Sequence, residues 1–263
     1  WMYMTEPSPD ADNKPSYWPR GKVMGGSSSI NAMVDVRGNP RDCEQGSEAG
    51  NPVWFYSKVL PYFKKMESWQ NGPDDYRGGD GPLNVSEVSE QLHPLCQNFL
   101  SASQEIGIGL NKDMNGATQE GVGNYQITTH KGQRMSSSRA YLWPIKGRTN
   151  LTIIKNAQAT KILTQDKKAF GIEYKKSGKI HQVTAKREVI LSAGSINTPH
   201  LLQLSGIGPK AALRKASVPL VHDSPGVGEN LQDHVGCLLY TSDAADDSLR
   251  VDLGGRRIIK KGT

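Results

Sequence analysis

Two segments of the chain carry apolar residues at helical spacing. In the first the apolar positions are Val59, Leu60, Phe63 and Met66. Lys64 and Lys65 fall on the opposite face, so we predict a packing helix there. In the second, residues 92–108, the apolar positions are Leu95, Phe99, Ala102 and Ile106. We predict an amphipathic helix over 92–108 that buries this face.

From residue 150 onward the period of the pattern changes to two. Apolar and polar residues alternate in short stretches that are separated by turn-like segments at Asp166 and Gly178. The stretches are 151–154, 159–163, 171–174 and 180–185. We predict an antiparallel meander of four strands from this pattern. Residues 82–86 and 125–129 are also predicted to form short strands, and 1–20 an irregular, proline-rich segment.

A short apolar run, 189–191, stops abruptly at Ser192, Ala193 and Gly194. This pattern predicts a buried strand that enters a tight turn. Thr198 and Pro199 follow, and proline suits the first position of a helix. The predicted apolar face of that helix is Leu201, Leu202, Leu204 and Ile207. A strand, a glycine turn and a helix in succession form the kind of place that holds a nucleotide cofactor.

The segment 21–33, GKVMGGSSSINAM, is the most informative stretch for chemistry. Adjacent glycines let the backbone approach a ligand closely, and the three serines resemble a helix start offered to an anion. A serine-rich capped turn without a ligand fits the same residues equally well. Short Gly/Ser motifs are weak indicators, so both interpretations stay open at this point.

Composition excludes several classes of function. The chain has 263 residues, 36% of them hydrophobic, which suits one or two domains with a real core. Its net charge of +6 comes from scattered Lys and Arg rather than a basic stripe, which argues against nucleic-acid binding. No apolar run approaches the ~20 residues of a membrane span. The three cysteines lack metal-ligand spacing, so no metal site is predicted.

Five motifs occur in one order along the chain: WPRGKVMGGSSSINAM, VLPYFKK, AYL followed by Pro144, VILSAGSINTPHLLQLSGIGP, and DSPGVGENLQDH. Together they resemble the glucose–methanol–choline (GMC) family of FAD-dependent oxidoreductases, especially its glucose-dehydrogenase-like and choline-dehydrogenase-like members. The resemblance runs from Trp1 to about Val235. It implies an α/β (α+β) fold, namely an incomplete FAD-binding domain of this family with an inserted cap or substrate-domain segment.

The resemblance also implies a division of the chain. Residues 1–77 correspond to a segment of the FAD domain with the flavin loop and a helical piece, and 78–149 to part of the substrate or cap domain. Residues 150–236 return to the FAD domain with the meander, strand and helix. Residues 237–263 back-translate to codons that resemble a sequencing adapter, so we predict a non-native tail there. We expect a partial chain that lacks both ends of the family's sequence, because no G-x-G-x-x-G fingerprint occurs in it.

The cofactor implied by the resemblance is FAD. The residues that the resemblance places against the flavin or its diphosphate are Val23, Gly25, Gly26, Ser27, Ser28, Asn31, Ala32, Met33, Val34, Ala159, Ala193 and Gly194. Ile30 stands where choline oxidases carry a histidine that is joined covalently to flavin. An aliphatic side chain cannot form that bond, so a non-covalent FAD is expected.

The implied activity is oxidation of an alcohol, sugar or choline-like CH–OH group by hydride transfer to flavin. The family's catalytic histidine lies nearer the carboxyl end than this chain reaches, so no catalytic residue is predicted and the isolated chain is expected to be inactive. The expected partners are the small-molecule substrate and an electron acceptor, a quinone or oxygen. A secreted location is favoured, with a mitochondrial one as the alternative.

Several residues depart from the family's pattern. Asp35, Cys43 and Gly46 stand where an aromatic residue is usual, and Val53 where glycine is usual. Loss of a fully buried aromatic ring costs about 3–5 kcal/mol. These departures motivate a rival hypothesis, in which the protein is a non-catalytic relative that acts as a secreted binding or structural protein.

Overall fold

The computed structural model describes residues 1–234, which divide after Thr152 into two compact units. The predicted non-native tail, 237–263, lies outside the described residues. The mixture of helices and short sheets agrees with the expected α/β (α+β) class. The assignment of 1–77, 78–149 and 150–236 to parts of two domains remains a prediction.

The first unit begins with a two-stranded antiparallel sheet, β1 (Met2–Met4) and β2 (Tyr17–Pro19). The prediction of an irregular segment over 1–20 is therefore wrong at both ends. The strands are closed by backbone hydrogen bonds on both sides, from Trp1 N to Arg20 O (2.8 Å) and from Thr5 N to Ser16 O (2.9 Å). Alternation over only three residues is too short a pattern for the sequence to reveal such strands.

Two helices follow, α1 (Pro40–Glu48) and α2 (Tyr56–Met66). The apolar pattern predicts α2 correctly but misses α1, which is short and polar. A capping box fixes the start of α1: Asn39 Oδ1 accepts from Arg41 N (3.0 Å), and Asp42 Oδ2 accepts from Asn39 N (3.0 Å). The cap satisfies N–H groups that a helix start otherwise leaves unpaired.

A small sheet then assembles from distant parts of the unit. Strand β3 (Glu67–Trp69) pairs in parallel with β4 (Leu83–Val85), which confirms the predicted strand at 82–86. Next to β4, Ser86 forms an antiparallel bridge with Ile127, and Ile127 forms a second one with Val34. The sheet therefore connects the residues after β4 to the segment that follows the Gly/Ser stretch.

Helix α3 spans Leu95–Glu105, which confirms a helix within 92–108 but shortens it at both ends. Its buried face is not the predicted one. Leu100 is only 8% exposed and Ser103 is also buried, whereas Phe99 is 53% exposed. The buried side chains lie one position away from the predicted apolar stripe. The hydroxyl of Ser103 tolerates burial because it donates to Phe99 O (2.8 Å). Burial of such a polar residue cannot be read from hydropathy.

A hairpin and two helical turns complete the first unit. Strands β5 (Thr129–His130) and β6 (Gln133–Arg134) pair antiparallel. The predicted strand over 125–129 is thus displaced toward its end. Lys131 and Gly132 both have positive φ, 48° and 71°, as a tight two-residue hairpin turn requires, and glycine meets that requirement without steric cost. A π-helical turn, Ser138–Leu142, and a 3₁₀ turn, Trp143–Ile145, follow the hairpin.

The second unit contains the predicted meander, with three strands in place of four. They are β7 (Ala157–Gln165), β8 (Lys168–Lys176) and β9 (Lys179–Thr184), paired antiparallel in chain order. Residues 151–154 are irregular. Helix α4 (Gly194–Leu204) is tied to β7 where Ser205, directly after the helix, accepts a hydrogen bond on Oγ from Ile162 N (2.8 Å).

Helix α4 begins at Gly194, earlier than the predicted start at Thr198 and Pro199. Thr198 does not cap the helix from outside, because its Oγ1 accepts from Ala193 N (3.1 Å). Ile207 lies beyond the helix in β10 (Ile207–Gly208), and α5 (Lys210–Lys215) precedes β11 (His222–Asp223), which pairs in parallel with β10.

The predicted buried strand at 189–191 is absent from the described structure. Its central residue, Ile190, is 75% exposed, and no residue of the run makes a backbone hydrogen bond within the described part of the chain. A strand needs a neighbour for its N–H and C=O groups. An apolar run without a paired neighbour therefore keeps an irregular conformation here.

The first unit buries charged side chains as well as apolar ones. A buried ion cluster consists of Arg37, Glu67, Arg77 and Asp113. Arg77 is 0% exposed and Glu67 is 3% exposed. Arg77 donates to Glu67 through Nε (3.0 Å to Oε2) and Nη2 (2.7 Å to Oε1), and to Asp113 Oδ1 through Nη1 (2.7 Å). Its guanidinium also stacks 4.3 Å above the Trp69 ring.

Glu67 receives two further donors, Arg37 Nη2 (2.7 Å) and Gly78 N (2.9 Å). Two guanidinium groups and two carboxylates therefore balance each other in charge. A buried charge without such partners is expensive, whereas a paired and fully hydrogen-bonded one is tolerated. Among the described residues no buried side-chain nitrogen or oxygen lacks a hydrogen-bond partner.

We expect Arg77→Met to destabilise the first unit severely, because it leaves Glu67 and Asp113 without their principal counter-charge. Breaking a buried pair in this way costs about 3–5 kcal/mol. Lys14→Met is the matched control, since its pair with Asp12 (3.5 Å) is exposed and should contribute less than about 1 kcal/mol. Urea unfolding followed by tryptophan fluorescence measures both. An Arg77→Met variant that unfolds at the wild-type urea concentration would contradict the assigned role of the cluster.

Candidate cofactor site

The Gly/Ser stretch forms a loop with a single 3₁₀ turn, and residues 21–34 are called the cofactor loop below. The turn spans Gly26–Ser29, and Gly25 precedes it with φ 91°. A Cβ atom on Gly25 would lie 2.5 Å from Ser29 Oγ and 3.2 Å from the Ser136 side chain. Both the backbone angle and the close packing therefore require glycine at this position.

The three serine hydroxyls of the cofactor loop bond within the first unit. Ser27 Oγ accepts from Gly21 N (3.1 Å), and Ser29 Oγ donates to Met24 O (2.8 Å). Ser28 Oγ donates to Gly25 O and lies 3.0 Å from the hydroxyl of Ser137. The hydroxyls consequently shape the loop, and the groups that remain free to meet a ligand are mainly on its backbone.

Three consecutive backbone N–H groups of the loop, those of Val23, Met24 and Gly25, have no hydrogen-bond acceptor within residues 1–234. Val23 is more than half exposed, and the loop around it is open to solvent. Such a row of free donors suits an anionic ligand such as a diphosphate. The loop thus fits the phosphate-bearing part of a dinucleotide.

The carboxyl end of the cofactor loop is held as a strand. Thr128 N donates to Met33 O (2.8 Å), and Asp35 N donates to Gln126 O (2.9 Å) on either side of the Val34–Ile127 bridge. Gln126 is only 1% exposed. The last residues of the predicted cofactor segment, 32–34, are therefore attached directly to the buried sheet.

The side chain of Asn115 bonds to the backbone directly after the cofactor loop. Its Nδ2 donates to Asp35 O (2.8 Å), and its Oδ1 accepts from Arg37 N (2.7 Å). The amide thereby makes the two hydrogen bonds that the backbone of a neighbouring strand would otherwise make. The backbone N–H of Asn115 donates to Asp113 Oδ1 (2.9 Å), which also binds Arg77. The buried ion cluster and the cofactor loop are thus joined through one asparagine.

Asp35 adds a third carboxylate beside this balanced cluster. Burial raises the pKa of the Asp35 carboxyl above its ordinary value, and the negative charge of Glu67 raises it further, although Arg77 and Arg37 oppose the shift. Its Oδ2 accepts only a long hydrogen bond from Asn115 Nδ2 (3.4 Å). The ionised form of Asp35 is therefore disfavoured beside the cluster.

Arg134, at the end of the β5–β6 hairpin, contacts the cofactor loop. Arg134 Nη1 lies 2.7 Å from Asn31 O, 2.8 Å from Asn31 Oδ1 and 3.3 Å from Ser28 O. Nearby, Ser137 N donates to Ser28 Oγ (2.9 Å), and Ser137 Oγ donates to Gly25 O (3.1 Å). Sequence reasoning missed both Arg134 and Ser137 as partners of the loop. The signal that was available is the Thr-His-Lys-Gly-Gln-Arg segment, 129–134, which one residue separates from the serine run 136–138.

The remaining predicted residues lie in the second unit. Ala159 is on β7, at an irregularity in the pairing with β8, and is exposed. Ala193 and Gly194 are exposed at the start of α4. The structure therefore brings nine of the twelve predicted residues together in the cofactor loop and places these three on separate elements of the other unit. Their role in cofactor binding remains a prediction.

Comparison with known proteins identifies relatives over most of the chain. Residues 6–236 match the model of the GMC oxidoreductase family. An oxygen-dependent choline dehydrogenase of Photobacterium profundum is 48% identical over 236 residues, which cover 89% of this chain and 42% of that protein. A mitochondrial choline dehydrogenase of Mus musculus is 47% identical, covering 89% and 39%. The chain thus spans less than half the length of these relatives.

The fold also matches a solved structure. An FAD-dependent oxidoreductase from Chaetomium thermophilum superimposes with a TM-score of 0.82 at 32% identity, covering 88% of this chain and 42% of that one. This agreement confirms the expected α/β (α+β) fold of the family. Within residues 1–234 no helix is both long and apolar enough to cross a membrane.

The raised pKa of Asp35 leads to a pH prediction. A carboxyl whose pKa is higher in the folded state binds its proton more tightly there, so stability falls as pH rises from the unfolded to the folded pKa. Asp35→Asn has no carboxyl to ionise and does not lose stability in this way. The variant should therefore melt at a higher temperature than wild type at pH 7. The difference should shrink as the pH falls through the raised pKa of Asp35, because the wild-type carboxyl then takes up its proton.

Thermal unfolding of both proteins across this pH range measures the effect. A lower melting temperature for Asp35→Asn at pH 7 would mean that the ionised carboxylate stabilises its arginine neighbours, contrary to the assigned balance of charges.

Proposed function

Because the chain belongs to the GMC oxidoreductase family, we propose that the protein carrying it oxidises the CH–OH group of a small molecule with FAD as cofactor. Choline or a related alcohol is the proposed substrate, since the Photobacterium profundum and Mus musculus relatives are both named choline dehydrogenases. The observation that supports this most is the cofactor loop, whose free backbone donors lie in a chain 48% identical to one of these relatives.

In this proposal the free N–H groups of Val23, Met24 and Gly25 hold the diphosphate of FAD. Asn31, Ala32, Met33 and Val34 form the part of the loop beside the flavin ring. Bound FAD supplies the chemistry by accepting a hydride from the alcohol carbon. The chain's own contribution is to orient the cofactor on a segment that is fixed to a buried sheet.

FAD is proposed to bind without a covalent link. Ile30 offers no nucleophilic atom and is half exposed beside Asn31. A quinone or oxygen is the proposed electron acceptor. The mitochondrial location is now favoured over the secreted one, because the Mus musculus relative is named as mitochondrial.

The rival hypothesis of a non-catalytic relative loses its main support. It was motivated by polar or small residues at positions 35 and 43, where an aromatic is usual. Asp35 is bonded to Asn115, and Cys43 is half-buried on α1, a helix with a complete capping box. The backbone of the cofactor loop is hydrogen-bonded to 126–128 with Asp35 in place, so this residue does not argue against flavin binding.

The direct test uses a full-length protein that carries this segment. We expect it to purify with FAD and to lose flavin absorbance near 450 nm when choline is added without oxygen. A panel containing glucose and a primary alcohol distinguishes the substrate classes. The proposal is contradicted if FAD is not bound, or if no CH–OH donor of the panel bleaches the flavin.

The loop assignment has its own test in the same protein. Asn31→Leu conserves most of the side-chain volume but removes every hydrogen bond of the amide, each of which contributes about 0.5–1.5 kcal/mol. We expect reduced FAD retention after gel filtration. Ser29→Ala is the control, because its hydroxyl bonds only within the loop and should affect retention much less. Equal FAD content in Asn31→Leu and wild type would remove Asn31 from the cofactor site.

A further inference from the structure

The contacts around Asn31 dictate the orientation of its side-chain amide. Asn31 Oδ1 lies 3.2 Å from Met33 N and 2.8 Å from Arg134 Nη1. Both neighbours are donors only, because a backbone N–H and a guanidinium carry no acceptor. The carbonyl oxygen must therefore face them, since the opposite orientation would set donor against donor.

The other end of the amide is consequently presented outward. Asn31 is exposed, and its Nδ2 has no acceptor within the described residues. Without Arg134, only the longer hydrogen bond from Met33 N (3.2 Å) would hold the amide oxygen in this orientation. Arg134 adds a shorter, charged donor (2.8 Å), so the loop offers N–H donors rather than an acceptor at this point.

Arg134 itself is positioned by the fold. It is the last residue of β6, and its hairpin continues from Thr128, which is bonded to Met33 O. The same Nη1 also lies within hydrogen-bond distance of two backbone carbonyls of the loop, those of Ser28 and Asn31. No carboxylate forms an ion pair with Arg134 in residues 1–234. Its positive charge is therefore not neutralised beside the loop.

We propose that Arg134 is a positioning residue that orients the Asn31 amide so that Nδ2 donates to an acceptor atom of the bound flavin. This proposal rests on the proposed function, because it requires FAD at the cofactor loop. Arg134 does not need to touch the cofactor. It acts by making one of the two amide orientations much more favourable than the other.

The test compares variants of the full-length holoenzyme by FAD affinity and melting temperature. Asn31→Asp keeps the shape of the side chain and gains an ionic partner in Arg134, but it replaces the outward donor by an oxygen. We expect FAD to bind at least about tenfold more weakly, while the cofactor-free protein melts at or above the wild-type temperature. A purely structural role for Asn31 predicts unchanged FAD affinity instead.

Arg134→Met removes the orienting donor while keeping the length of the stem. It should also weaken FAD binding about tenfold, and Arg134→Lys should recover part of the loss. Combined with Asn31→Asp, the Arg134→Met change should weaken FAD binding much less than it does alone, because no amide remains to be oriented. Arg139→Met is the matched control, since the Arg139 guanidinium lies 5.4 Å over the Trp143 ring and no hydrogen bond joins its side chain to the loop in residues 1–234.

The outcomes separate this proposal from the one on which it rests. If the wild-type protein binds no FAD, the proposed function fails and the positioning role fails with it. If the wild-type protein binds FAD but Asn31→Asp or Arg134→Met leaves the affinity unchanged, only the positioning role is overturned. If Arg134→Met does not fold, Arg134→Lys decides the matter: an FAD affinity below that of wild type, and a smaller effect of the same change in the Asn31→Asp background, support the positioning role, and an unchanged affinity overturns it.

Discussion

The pairing of Arg77 with Glu67 is the constraint on which the first unit depends. Both groups are almost completely removed from water, and neither charge could remain there without the other. Meeting that requirement brings Arg37 and Asp113 into the same cluster. Asp113 in turn holds Asn115, which bonds the backbone on both sides of Val36. The chain directly after the cofactor loop is therefore fixed by a set of charges that must be satisfied together.

This arrangement explains how a loop rich in glycine and serine can hold one conformation. One end of the loop is a strand bonded to 126–128, and its turn is held by Arg134 and Ser137 on the following hairpin and helical turn. The serine hydroxyls of the loop bond to its own backbone and help to fix its conformation. Backbone donors that are free of internal partners are left at the surface, where an anionic cofactor can reach them. Sites held by a rigid surround lose less entropy on binding.

The sequence predicts part of this accurately. Helix α2, the presence of α3, the meander and the loop itself follow from periodicity and from the Gly/Ser motif. The buried ion cluster does not, because an arginine such as Arg77 in a glycine-rich stretch is ordinarily read as exposed. Its partners are up to several dozen residues away in the chain, and no periodic pattern connects them. The strand predicted at 189–191 fails for the complementary reason, since hydropathy marks an apolar run but does not supply its neighbour.

The hydrogen bonds that hold the cofactor loop predict that it is formed before the cofactor binds. Hydrogen–deuterium exchange in the full-length protein, with and without FAD, measures this residue by residue. A preformed loop predicts that the amides of Asp35 and Thr128 exchange slowly in both states, while FAD slows exchange mainly at Val23, Met24 and Gly25. Fast exchange at Asp35 and Thr128 that becomes slow only when FAD is added would contradict the claim, because the cofactor would then be building the segment that is assigned to hold it.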